Sequence, residues 1–408
     1  MKIAVLLAGP WIPGSSVNMA EYVRVLRSLD HEAMLICLNR SEGRADFPIE
    51  CVDYPTLEDP AFYRRLRLDA AIAFTWINSP GVIWAMKDAG MRVLLRGDSD
   101  GMISIRCFPR HYFRAWMSGT SGIIQRGRVI KHWLEHYFLT HGIEDGHRLS
   151  CIAGADVTVL ETAEAARHIA RFLATQHRSD LAPRLKVAPH FISGEFLTGD
   201  VPKNRQESVT CIGRWDDSQK NAPMLARAIE LHLSRQPQTI FNLIGNEGPQ
   251  DVLASLARKY PQVNYMGAQK PAEVRRILAS SRVLLSASRW EGAPLVANEA
   301  LAMGATVVGT PIPAMVDVVS QGDYGTVARR HSAPALAAAL HSELTAWKDG
   351  RRNPVAIAAY WRPQFSPDTV VSRLIDLLVP SQRASRESDL PSVAAPLNPP
   401  ADSQCILT

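Results

Sequence analysis

A chain of 408 residues is long enough for two domains and past the size at which a single core stops growing. Apolar residues make up 46% and charged residues 21%, as in ordinary globular proteins, and a net charge of +5 is too small to point to nucleic acid. The six cysteines, Cys37, Cys51, Cys107, Cys151, Cys211 and Cys405, form no C-x-x-C pair, which argues against a disulfide framework or a zinc site and fits a reducing compartment. No apolar run reaches transmembrane length, and Met1-Lys2 leads into a strand without a secretory signal, so the expectation is a cytoplasmic protein.

In the first half, Ile3–Leu7, Ala33–Leu38, Ala70–Phe74, Val93–Leu95, Val157–Leu160 and Leu185–Ala188 are short, β-rich apolar runs. Amphipathic stretches at Asn18–Leu29, Pro80–Ala89 and Thr162–Leu173 lie between several of them. Such alternation predicts βαβ units and a parallel sheet, with ligands at the carboxyl ends of the strands. The first strand-end loop, 9–18, holds Gly14 followed by two serines. It reads equally as a close backbone approach to a ligand and as a Pro/Gly turn with an Asn cap. After Val93–Leu95 comes Arg96-Gly97-Asp98-Ser99-Asp100, where two aspartates in a βα loop commonly cap the next helix.

The stretch 106–148 carries Arg106, Arg110, Arg114, Arg126, Arg128, Lys131 and Arg148 against Glu135, Glu144 and Asp145, with Trp116, Trp133 and Tyr137 among its aromatics. Basic residues interleaved with Trp and Tyr at helical spacing suit an anionic bilayer surface. The same pattern suits a basic patch for a phosphorylated acceptor, or a core-facing aromatic stripe with a solvated basic face.

Thr198–Glu207 is polar and reads as a linker. A second alternating series comes next, with strands at Val209–Ile212, Ile240–Ile244, Val263–Met266, Val283–Leu285 and Thr306–Val308. Helices are expected at Ala222–Leu233, Asp251–Lys259, Ala272–Ser280, Pro294–Met303 and, near the end, Pro367–Leu378. Pro380–Thr408 is rich in Pro, Ser and Ala and reads as disordered. Its last four residues fit a prenylation box only superficially, since threonine is atypical there and no basic run precedes it.

The most specific stretch is 286–304. Its strand turns at Glu291-Gly292 into a helix, placing Glu291 beside a helix N-terminus where free N–H groups and the helix dipole favour anions. Glu299 and Asn298 are the only polar residues in Pro294–Met303, so Glu299 is either a carboxylate that accepts strong hydrogen bonds or a helix former on a wet face. The frame S-x-x-E-G-x-P-x-x-x-x-E-A-x-A-x-G resembles the donor-site signature of family-4-type glycosyltransferases with the GT-B fold. The resemblance implies an α/β protein of two doubly wound Rossmann-like domains facing a cleft. An acceptor-binding domain would span 1–197, a linker 198–207 and a donor-binding domain 208–365. A helix, 366–379, would return to the first domain ahead of the tail, 380–408.

The same resemblance assigns roles. Glu291 would lie near the donor sugar and Glu299 would hold the ribose, while the backbone of Gly292, Ala293, Leu295 and Val296 would approach the diphosphate. Gly213-Arg214 and Lys220-Asn221 are similar to the family's G-R…K-[GN] segment, so Arg214 and Lys220 would contact the diphosphate. Gly245 and Asn246 match the Gly-rich turn near the nucleotide base, and Gly14 matches one glycine of a pair near the phosphates. Relatives place a histidine near Asp98; lacking one there, this chain offers Asp98 itself as the candidate.

These roles imply a reaction. A retaining hexosyltransferase would move a hexose from a nucleoside diphosphate sugar to a glycan, lipid-linked or small-molecule hydroxyl. It would need no metal and no further cofactor, and no nucleic acid partner. The stretch 106–148 would offer peripheral contact with the inner membrane surface. Rival readings are a GT-B nucleotide-sugar epimerase, a metal-dependent transferase using Asp98-Ser99-Asp100 as D-x-D, and a non-catalytic nucleotide-sugar-binding protein.

Overall fold

The computed structural model describes residues 1–9, 17–38, 45–74, 78–97, 99–117, 122–246, 252–319 and 324–379. Gly14, Asp98 and the tail 380–408 lie outside the described residues.

Two parallel sheets organise the chain. The first has seven strands: β1 (Lys2–Leu7), β2 (Glu32–Leu38), β3 (Ile49–Val52), β4 (Ala70–Phe74), β5 (Arg92–Gly97), β6 (Val157–Leu160) and β7 (Leu185–Val187), in the order β3-β2-β1-β4-β5-β6-β7. The second has six: β8 (Gln206–Ile212), β9 (Ile240–Ile244), β10 (Val263–Gly267), β11 (Ser281–Ser286), β12 (Thr306–Gly309) and β13 (Gly325–Val327), in the order β10-β9-β8-β11-β12-β13. Both are doubly wound α/β sheets, as the alternating pattern predicts.

The central strands are mostly apolar because each is buried on both faces. In β1, Ala4 and Leu6 enter one core with Ile36 and Ala73, while Ile3 and Val5 enter the opposite core with Leu35 and Ile72. Register holds these layers together: Ile3 pairs with Ala33 on one side and Ala70 on the other. The strand β11 divides in the same way, with Val283 and Leu285 on one face and Leu284 on the other. The edge strands β3 and β13 do not show in the apolar pattern, being short and only half-buried.

The chain crosses between the halves at 190–196, where Phe191 packs into the first core and Ile192 and Phe196 into the second. The Ile192 N–H bonds to the Phe365 carbonyl at 3.1 Å, holding that crossing against the end of the helix Pro354–Gln364. From there the helix Pro367–Leu378 inserts Val370, Val371, Leu374 and Leu378 into the first-half core beside Tyr22 and Leu26. A second tie runs across the halves, with the Asp317 carboxylate accepting the Glu164 N–H at 3.2 Å.

The aromatic stretch forms two layers of helix. Pro109–Met117 is followed by a helical run from Ile123 to Gly154, continuous but for one wide π-helical turn at His136–Thr140. The five described cysteines are unbonded thiols; Cys37 and Cys51 face each other across β2 and β3 with 3.4 Å between sulfurs.

Candidate active site

The carboxyl end of β11 delivers the motif. After Ser286 the chain runs through Ser288–Pro294 and enters the helix Leu295–Ala302. That helix is shorter than the expected Pro294–Met303: Pro294 sits just outside it at φ −81° and ψ 62°, and Met303 follows its last turn. Gly304 then closes the helix at φ +78°, where a Cβ would fall 2.3 Å from the Pro354 carbonyl oxygen. Among the described residues, the N–H groups of Gly292, Ala293 and Val296 have no backbone acceptor. A helix N-terminus with free donors is thus presented at the sheet edge.

These residues line a cavity of 670 Å³. Its walls include Gly213, Arg214, Gln219 and Lys220 after β8, Gly245 and Asn246 after β9, and Gly292 to Ala297 after β11. Ser99 and Asp100 reach it from the first half, so the cavity is a cleft between the two sheets. The structure therefore brings together Gly213, Arg214, Lys220, Gly245, Asn246, Glu291, Gly292, Ala293, Leu295 and Val296. Glu299, one turn further along the helix, does not line the cavity.

Glu291 is the hub. Its Oε1 accepts from Lys220 Nζ at 2.6 Å and from Ser288 Oγ at 2.6 Å. Among the described residues its Oε2 accepts from Gln219 Nε2 alone, at 3.2 Å, and that amide also donates to the Trp290 carbonyl at 2.8 Å. A carboxylate oxygen with one long bond retains acceptor capacity toward the cleft. Both ends of the pair are largely buried, so Lys220 is a cation already fixed at the cavity wall. Arg214 differs: its side chain is 70% exposed and bonds Asp217 at 3.1 Å.

Glu299 is half-buried on its helix and, among the described residues, makes no side-chain hydrogen bond or ion pair. Loss of hydration pushes its carboxyl up to about 7. A carboxyl held near neutrality without a partner is one that a hydroxyl donor would relieve.

The glycines of the base turn have a packing reason. Gly245 sits at φ +142°, and a Cβ there would lie 1.8 Å from the Gly213 carbonyl oxygen. A Cβ on Gly213 would lie 2.8 Å from the Trp215 ring. The ends of β8 and β9 approach so closely that only glycine fits, which leaves backbone as the cavity wall.

On the first-half side, Asp100 accepts the Met102 N–H at 3.0 Å, which closes a local turn and does not cap the next helix, since that begins only at Pro109. Its other oxygen lies 3.5 Å from His111 Nε2, and the His111 ring lies 6.3 Å from the Trp290 ring, edge to face. Burial lowers the His111 pKa, partly offset by Asp100. Among the described residues, no three His, Cys, Asp or Glu side chains come together as a metal site. Gln219 and His111 are the site residues that sequence reasoning passed over: neither belongs to the donor-site frame, and their contacts reach far along the chain.

Residues 206–345 match the family model of the glycosyl transferases group 1. No curated protein matches the chain. Among solved structures, the sucrose-phosphate synthase of Thermosynechococcus elongatus superposes with a TM-score of 0.61 at 16% identity, covering 92% of this chain and 98% of its own. HepE of Anabaena, in complex with UDP, gives 0.63 at 15% identity, with 93% and 99% covered. The E. coli trehalose-6-phosphate protein bound with UDP-2-fluoro glucose gives 0.63 at 14% identity, again with 93% and 99% covered. At such identities the likeness speaks for the fold, and the family match speaks for the donor half. Residues 206–345 thus match a group 1 glycosyl transferase domain, and the chain as a whole shares the two-domain GT-B fold of these solved structures.

Proposed function

We propose that the cleft binds a nucleoside diphosphate hexose and that the enzyme passes the hexose, with retention, to an acceptor hydroxyl presented by the first domain. Glycan, glycolipid or polysaccharide synthesis is the setting this reaction suits. The observation that carries the reading is the fixed Lys220–Glu291 pair facing the free N-terminus of the helix Leu295–Ala302 in one cavity.

As the bond from the anomeric carbon to the diphosphate breaks, negative charge grows on the leaving oxygen. Lys220 and the N–H groups of Gly292, Ala293 and Val296, which line the same cavity, stabilise it. Arg214 adds a second cation once it leaves Asp217. Glu291, through Oε2, accepts a hydroxyl of the sugar, and Glu299, behind the cavity wall, accepts from the ribose. The acceptor oxygen bonds to the anomeric carbon on the face the diphosphate leaves, and its proton passes to the departing phosphate. Protein cations supply the neutralisation that a divalent ion gives elsewhere. UDP is the first nucleotide to try, because two of the structural relatives carry uridine nucleotides.

The test is thermal unfolding with UDP and a panel of nucleoside diphosphate hexoses, all in the presence of a chelator. A ligand at 100 times its Kd adds about 2.7 kcal/mol to stability, enough to raise Tm clearly. A rise with at least one diphosphate but not with the matching nucleoside supports the reading. No rise with any of them, or a rise that appears only on adding a divalent ion, contradicts it.

A further inference from the structure

Among the described residues, the long helical run Ile123–Gly154 carries a largely exposed apolar face. Ile123, Ile124, Phe138, Leu139 and Ile143 are between 66% and 90% exposed, and Ile130 and Leu134 are exposed as well. Ile123, Ile130, Leu134 and Phe138 recur at intervals of seven, four and four along one side of the helix, and Ile124, Leu139 and Ile143 widen that surface on the adjoining side. The aromatics that the sequence suggested as surface anchors are otherwise engaged. Trp133 stacks on Tyr137 at 5.3 Å and meets Phe113 at 5.7 Å, while its Nε1 bonds the Pro109 carbonyl at 3.3 Å. Trp116 stacks on His132 at 4.8 Å. They fasten the helix to Pro109–Met117, and the aliphatic side is left outward. A stripe of this kind is larger than the scattered surface apolars of a monomer and marks a surface that something covers.

Charge selects the occupant. Arg126, Arg128 and Lys131 lie on the same segment, all exposed, and the only carboxylate from Gly122 to Ile143 is Glu135, 3.7 Å from Lys131. A symmetric contact between two copies would press these cations against one another. An anionic lipid surface accepts both features at once, cations at the headgroups and aliphatics at the acyl boundary. We propose that the Ile123–Ile143 face docks the enzyme on an anionic bilayer, with Ile123, Ile124, Phe138, Leu139 and Ile143 entering the interface. This inference does not rest on the donor-site reading: the face lies on the first domain, outside the cleft.

The experiment is sedimentation of the full chain with phosphatidylcholine vesicles, with and without phosphatidylglycerol, at low and high salt. Wild type should pellet with the anionic vesicles at low salt, less at high salt, and little with neutral ones, since the attraction decays within about 10 Å at 0.1 M salt. The triple variant Arg126→Glu, Arg128→Glu and Lys131→Glu should lose partitioning by about a hundredfold, from about fivefold per cation lost. The variant Ile124→Asn, Leu139→Asn and Ile143→Asn should lose at least about tenfold and should abolish the binding that survives high salt. Both variants should keep the wild-type Tm, because the replaced side chains are exposed. Equal pelleting of wild type and both variants would overturn the proposal. So would a wild-type dimer in light scattering that the aliphatic variant abolishes while anionic vesicles recover neither protein, which would assign the face to a second copy of the chain.

Discussion

Glu299 carries the clearest pH signature of any single residue. In the unfolded chain its carboxyl ionises near the ordinary 4.5, whereas burial holds it to about 7 in the fold. Between those values the unfolded chain is charged there and the folded chain is not. The protein is therefore relieved of this penalty at low pH and loses stability as pH rises through about 7. Glu299→Gln should raise unfolding free energy by about 1–3 kcal/mol near pH 8 and leave it unchanged near pH 4.5, read from urea titrations at the two pH values. Equal stability of the two proteins at both pH values would show that the carboxylate is already satisfied. Sequence alone singles out Glu291, Glu299 and Lys220, because each sits in a local motif of specific spacing; Glu291 and Lys220 line the cavity and Glu299 does not. Sequence does not place Gln219 or His111: the first meets Glu291 from 72 positions away, and the second meets Trp290 from the other domain. A short window holds no trace of such contacts.

At the scale of elements, the turn after β9 is the most constrained piece of the donor wall. Gly245→Ala must either displace the Gly213 carbonyl or abandon its positive φ, a backbone strain of about 1–3 kcal/mol. The variant should show a lower Tm together with weaker nucleotide binding, measured by calorimetry on the folded fraction. Retention of both would mean that the two strand ends can separate without consequence. The elements most legible in the sequence are those buried on both faces: Ile3–Leu6 of β1 and the whole of β4 show as unbroken apolar runs. Of the edges, β7 and β10 show as β-rich runs, whereas β3 and β13 are not legible. The strand β13 has three half-buried residues including Gly325, and its existence depends on pairing with β12 rather than on its own composition. The helices Ala333–Lys348 and Pro354–Gln364 escape for the opposite reason, since their dense alanines blur any stripe. Within 106–148, periodicity finds the helices but cannot say which face turns inward. The stacking of Trp133, Tyr137 and Phe113 decides that.

For the molecule as a whole, two independently wound sheets meet along a cleft and are tied on the far side by the crossing at 190–196 and by the helix Pro367–Leu378. Lys220, Glu291 and the helix N-terminus come from the second sheet, and Ser99, Asp100 and His111 approach from the first. The proposed function stands or falls on whether this cleft recognises a diphosphate through Lys220, already held by Glu291 at 2.6 Å. Calorimetric binding of UDP and of uridine to wild type and to Lys220→Ala decides it. The variant should bind UDP about 10- to 100-fold more weakly, as loss of a charge-assisted hydrogen bond does, while its weak affinity for uridine is unchanged. Unchanged UDP affinity, or an equal loss for UDP and uridine, would contradict the assignment of Lys220 to the diphosphate.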